Sequence, residues 1–149
     1  MSLVSILAPE RVQIDVAASS KKRALEHLST LLAAGDDTLN SAKIFDALLG
    51  RERLGSTGLG FGIAIPHARH AEASEARAAC MRLQTAVDFD APDQEPVDFV
   101  VGLLVPDSAS DEHVQTLAAL AEMLDQARVR ERLRQAPDSQ ALIEIMAGN

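Results

Sequence analysis

Val97-Asp98-Phe99-Val100-Val101-Gly102-Leu103-Leu104-Val105 is almost continuously apolar. A strand of that composition has no solvent-facing side, so it belongs in the middle of a sheet with both faces covered, and helices must supply the cover. Working upstream, Met81, Leu83, Val87 and Phe89 alternate with Arg82, Gln84, Ala86 and Asp88, the pattern of a strand with one buried face. Ile63-Ala64-Ile65 is a shorter β-branched strand, stopped by Pro66. Val12-Gln13-Ile14-Asp15-Val16 alternates as a short edge strand does. Between them, Ser19 and Ser20 precede a helix whose Leu25, Leu28 and Leu32 share a face, and Gly35 stops it. Asn40 and Ser41 cap a second helix carrying Ile44, Phe45, Leu48 and Leu49, which ends near Arg51-Glu52-Arg53-Leu54-Gly55. Downstream, Pro106-Asp107-Ser108-Ala109-Ser110-Asp111-Glu112 is a loop rich in capping residues. Val114, Leu117, Ala118, Ala121 and Leu124 then mark an amphipathic helix with His113 in its first turn. Two shorter helices, over residues 129–134 and 139–146, are separated at Pro137 and ended by Gly148. The order strand, two helices, three strands, three helices predicts an α/β fold layered helix, sheet, helix.

The chain has 149 residues and 47% hydrophobic content, enough for one core without staples and without a linker. A single cysteine, Cys80, excludes an internal disulfide or thiolate metal cluster and suits the cytoplasm. No apolar run approaches the ~20 residues that cross a bilayer, and the first residues lack signal-peptide features, so neither export nor membrane insertion is expected. The net charge of −8 repels polyanions, and the basic clusters at Lys21-Lys22-Arg23 and over residues 128–134 are interspersed with acids on helical patterns. Nucleic-acid binding is therefore not expected. Four Phe and no Trp or Tyr leave little for stacking bases or sugars.

Gly55-Ser56-Thr57-Gly58-Leu59-Gly60-Phe61-Gly62-Ile63-Ala64-Ile65-Pro66-His67 is the most distinctive stretch. Its glycines allow sharp turns and close approach to a ligand, and successive unhindered N–H groups can cradle an anion. No Lys-Ser/Thr follows at a helix start, so this is not a nucleotide-binding P-loop. His67, expected at the end of the 63–65 strand, offers a nucleophilic imidazole beside those donors. A structural turn with an exposed histidine accounts for the same composition. His113 at a helix start favours the phosphate reading, since a helix N-terminus attracts anions and a second imidazole can donate to one. His27 reads as an ordinary helix histidine, and His70 as a surface histidine rather than a metal ligand beside His67.

The stretch Arg51-Glu52-Arg53-Leu54-Gly55-Ser56-Thr57-Gly58, the run from Gly60 to Pro66-His67, Pro96-Val97-Asp98, and Leu104-Val105-Pro106 followed by His113 together resemble the IIA domains of the fructose/mannitol type of the bacterial sugar phosphotransferase system. The resemblance covers nearly the whole chain. Within that family the single IIA unit and the helix start Ser20-Lys21-Lys22-Arg23-Ala24-Leu25-Glu26 are similar to the nitrogen-regulatory branch. The resemblance implies one EIIA type-2 domain over residues 1–149, a three-layer sandwich around a mixed β-sheet of the phosphotransferase/anion-transport type. It also implies a phosphohistidine at His67, formed from a phosphorylated HPr-like carrier of the nitrogen branch, with His113 as second active-site histidine. By the same resemblance Arg51, Thr57 and Gly62 hold phosphate, no metal or other cofactor takes part, and regulated targets include potassium-uptake proteins or sensor kinases. A sugar-specific IIA component, passing phosphate to a IIB domain, is the alternative. The sequence departs from the family pattern at Phe61 and at Ala68, both at the rim of the expected pocket, while Arg69 reads first as a plain solvated arginine and second as a cation for an acidic rim or incoming phosphate. Two other classes fit less well: an interaction module that has lost the chemistry, and a metal hydrolase built on His67, His70 and His113.

Overall fold

The computed structural model describes residues 3–108 and 111–148, so residues 109 and 110 of the expected capping loop lie outside the described residues. A short helix α1 (Leu3–Ile6) and a 3-10 turn (Pro9–Arg11) lead into β1 (Val12–Val16). The Ser20 side chain accepts the Arg23 N–H to open α2 (Lys21–Ala33), and Gly35, at φ +86°, turns the chain away after it. Asn40 accepts the Lys43 N–H in the same way to open α3 (Ser41–Glu52). Then come β2 (Gly58–Gly60), β3 (Ile63–Ala64), β4 (His67–His70), β5 (Arg77–Val87) and β6 (Val97–Pro106). Three helices follow: α4 (Asp111–Leu124), α5 (Ala127–Gln135) and α6 (Ser139–Met146), the last capped by Asp138.

The sheet is mixed, in the order β1-β5-β6-β3-β2, with β4 also paired to β6. β1 lies parallel to β5; β3 and β4 lie parallel to β6; β5 with β6 and β2 with β3 are antiparallel. β6 is central and buried along nearly its whole length, as its composition requires. On one face Val100 and Leu104 pack with Leu25, Leu28, Leu32, Ile44 and Leu48 of α2 and α3. On the other, Phe99, Val101 and Leu103 pack with Leu120, Leu124, Leu133, Leu142 and Met146 of α4, α5 and α6. Each such side chain stabilises the fold by about 1.5–3 kcal/mol, which makes β6 the spine of a helix/sheet/helix sandwich.

The structure departs from the sequence pattern in four places. The glycine-rich stretch is not a loop: Gly58–Gly60 forms β2, and Phe61 (φ +58°) and Gly62 (φ +80°) make the tight turn back into β3. The strand read over 63–65 does not end at Pro66. Lacking an N–H, Pro66 interrupts the pairing, and the chain then rejoins the same edge of β6 as β4, with His67 its first residue. β5 starts earlier than its alternation suggested, because Arg77 is buried with its guanidinium donating to the Leu32 carbonyl 2.8 Å away. Among the described side chains of α4 the buried ones are Thr116, Leu120 and Leu124, whereas Val114 faces outward at 60% exposure.

Candidate active site

β4 carries His67, Ala68, Arg69 and His70 alongside Leu103, Leu104, Val105 and Pro106 of β6. Where this part of the sheet meets the C-terminal turn of α3 and the first turns of α4, a cavity of about 530 Å³ opens. Its lining brings together His67 and His113 with Arg51 and Arg69, over an apolar floor that includes Leu103 and Val105. Leu54, at 84% exposure, and Val114 contribute apolar surface at the mouth. The two imidazoles expected to act together therefore share one cavity. His70 does not line it, so a three-histidine metal set is not assembled there.

His67 Nδ1 lies 2.9 Å from the Ile65 carbonyl oxygen. A carbonyl only accepts, so Nδ1 carries the proton in the neutral ring and Nε2 keeps the lone pair. Nε2 is thus the ring nitrogen with the available lone pair. Among the described residues, His113 Nδ1 is buried without a hydrogen-bond partner. Arg51 is steadied by a 2.9 Å bond from Nη1 to the Gly55 carbonyl, and Arg69 by a 3.2 Å bond to the Asp107 carbonyl. In a chain of net charge −8, two guanidiniums at one cavity mouth make a local exception that suits an anion.

Two expected phosphate-holding residues are not at this cavity. Thr57 is buried, and both its N–H and its hydroxyl donate to the Glu52 carboxylate. Gly62 sits at the hairpin tip, where its carbonyl accepts the Asp98 and Phe99 N–H groups. His67 is five residues further along the chain, about 16 Å of extended backbone away. The expected cradle of loop N–H groups is also committed elsewhere: Gly58 N–H donates to Ser56 Oγ and Phe61 N–H to Asp93 Oδ2. Gly58 instead satisfies packing, since a Cβ there would come within 2.8 Å of Ala91 Cβ.

One residue was passed over as chemistry in the sequence. Glu52 has only 2% of its side chain exposed, holds Thr57, and pairs with Lys21 Nζ at 2.9 Å. Its signal was present: Ile44, Leu48 and Glu52 recur every four residues on the buried stripe of α3, where a carboxylate is out of place unless partnered.

The family described as "Phosphoenolpyruvate-dependent sugar phosphotransferase system, EIIA 2" matches residues 5–149. The nitrogen regulatory protein of Pseudomonas aeruginosa is 46% identical over 144 residues, 97% of this chain and 94% of that protein. The crystal structure of nitrogen regulatory protein IIA-Ntr from Neisseria meningitidis superposes with a TM-score of 0.91 at 39% identity, covering 96% of this chain and 97% of that one. The enzyme IIA of the Escherichia coli mannitol system, solved in complex with phosphorylated enzyme IIB, superposes at 0.76 with 25% identity, covering 95% and 97%. On sequence and fold together, the chain belongs to the EIIA 2 family of the phosphoenolpyruvate-dependent sugar phosphotransferase system.

Proposed function

We propose that the 149 residues act as one cytoplasmic phosphoryl-accepting regulatory unit of the nitrogen-related phosphotransferase system, with His67 as the acceptor. The observation that carries this reading is the hydrogen bond from His67 Nδ1 to the Ile65 carbonyl, which leaves Nε2 unprotonated in a cavity shared with His113 and Arg51. The donor is a phosphorylated HPr-like carrier. The Nε2 lone pair attacks phosphorus in line, the bond from phosphorus to the carrier breaks, and its electron pair leaves with the carrier. His67 keeps its Nδ1 proton throughout. His113 and Arg51 offset charge on the moving group, so catalysis here is positioning and electrostatics.

The phosphorylated state adds about 1.5–2 negative charges, by analogy with hydroxyl phosphorylation, beside the exposed apolar surface of Leu54 and Val114. That change suits a switch in protein contacts, with potassium-uptake proteins or sensor kinases as the class of target. The greater identity to a nitrogen regulatory protein than to the mannitol enzyme favours regulation over delivery of phosphate to a IIB domain. The test is incubation with the phosphorylated carrier and measurement of acid-labile phosphate, which should appear on the wild type and vanish in His67→Ala. No phosphate on the wild type, or equal phosphate on both, would overturn the assignment. Rapid onward transfer to a sugar-specific IIB domain would replace the regulatory reading with the sugar-specific one.

A further inference from the structure

His67 is held from behind by a continuous set of hydrogen bonds. Its Nδ1 donates to the Ile65 carbonyl at 2.9 Å, and the Ile65 N–H donates to the Thr57 carbonyl at 3.0 Å. Thr57 is in turn gripped through its N–H and hydroxyl by the Glu52 carboxylate. Glu52 is anchored by Lys21 Nζ at 2.9 Å, and that ammonium also donates to the Phe89 carbonyl at 3.1 Å, with the Phe89 ring centroid 4.9 Å away. The set thus runs from the start of α2, through the end of α3, to the reacting histidine.

We propose that Glu52 is a positioning residue for phosphoryl transfer, fixing through Thr57 and Ile65 the carbonyl that selects the Nδ1–H tautomer of His67. This rests on the reading of His67 as the phosphoryl acceptor. The physical case has three parts. Ile65 lies at the break between β3 and β4, where the sheet does not fix its carbonyl and its N–H bonds to Thr57 rather than to β6. Pro66 confines Ile65 to extended backbone, so anchoring its N–H also anchors the direction of its carbonyl. A carboxylate buried to this degree is costly unless its partners hold it, and three donors do so here. Glu52 is absent from the cavity lining and so acts through His67.

The test compares wild type, Glu52→Gln, Thr57→Val and Thr57→Ser, each checked for folding by circular dichroism. Two-bond ¹H–¹⁵N spectra of the imidazoles report the His67 tautomer without any phosphate donor. Wild type and Thr57→Ser should show a dominant Nδ1–H form, and Glu52→Gln and Thr57→Val a shift toward mixed tautomers. At saturating phosphorylated carrier the transfer rate should fall about tenfold in Glu52→Gln, the scale of a small misplacement of a reacting group, with carrier affinity unchanged. If Glu52→Gln does not fold, the contrast of Thr57→Val with Thr57→Ser decides. Folded Glu52→Gln or Thr57→Val with the wild-type His67 pattern overturns the proposal. A wild type that takes up no phosphate instead defeats the acceptor assignment, and the tautomer comparison still decides the role of Glu52.

Discussion

Replacing Gly62 by alanine separates a phosphate-holding glycine from a packing one. At φ +80° an alanine pays the left-handed penalty of roughly 1–2 kcal/mol. Its Cβ would also stand 2.5 Å from Arg134 Nη2 and 2.9 Å from Asp98 Oδ1. Arg134 must then move, although it bridges Asp98 at 3.0 Å and donates to the Phe61 carbonyl. Both partners of that ion pair are about a third exposed, so losing it adds no more than about 1 kcal/mol after solvent screening. The sum is about 1–3 kcal/mol, or roughly 2–12 °C in Tm for a domain of this size. Thermal unfolding by circular dichroism measures the shift, and phosphate uptake by the folded variant at low temperature should match wild type. An unchanged Tm with reduced uptake would refute the reasoning and return Gly62 to the phosphate site.

Two further outcomes follow from the core. Leu28 covers Gly102 of β6, where a Cβ would meet the leucine methyls at 2.8 Å. Gly102→Ala should therefore cost about 1–3 kcal/mol by overpacking and Leu28→Ala about 2–5 kcal/mol by cavity formation. Urea unfolding of the double variant should show less than the sum, and strict additivity would mean the two sites do not touch. Burial pushes the Cys80 thiol up to about 12 from an ordinary 9.0. The folded state keeps a proton that the unfolded state releases, so this contribution to stability is whole below about pH 9 and is lost as pH climbs toward 12. Urea midpoints should fall less steeply above pH 9 in Cys80→Ala than in wild type, and native protein at pH 8 should resist thiol reagents. Rapid labelling of the folded protein would contradict this.

Much of the fold was legible because the signals are local. The caps at Ser20 and Asn40, the stop at Gly35 and the unbroken apolar run of β6 each act through neighbouring residues or through composition, and the structure shows them in those roles. The layer order also agrees with expectation, and His67 and His113 line one cavity. The glycine-rich stretch was misread because glycine marks permissive backbone without saying what uses the permission. A local hairpin turn at Phe61 and Gly62 uses it here, and so does close packing against Ala91, a residue distant in sequence.

By itself, then, the sequence determined an α/β sandwich built on residues 97–105 and a histidine worth suspecting at position 67. Those properties follow from periodicity, capping and motif, which a linear chain displays. Tertiary structure alone decided which ring nitrogen of His67 is free, that Thr57 and Gly62 stand away from the cavity, and that Glu52 is buried holding Thr57. Each of these depends on which hydrogen-bond donor meets which acceptor across the fold, and a backbone carbonyl or amide looks the same at every position of a sequence.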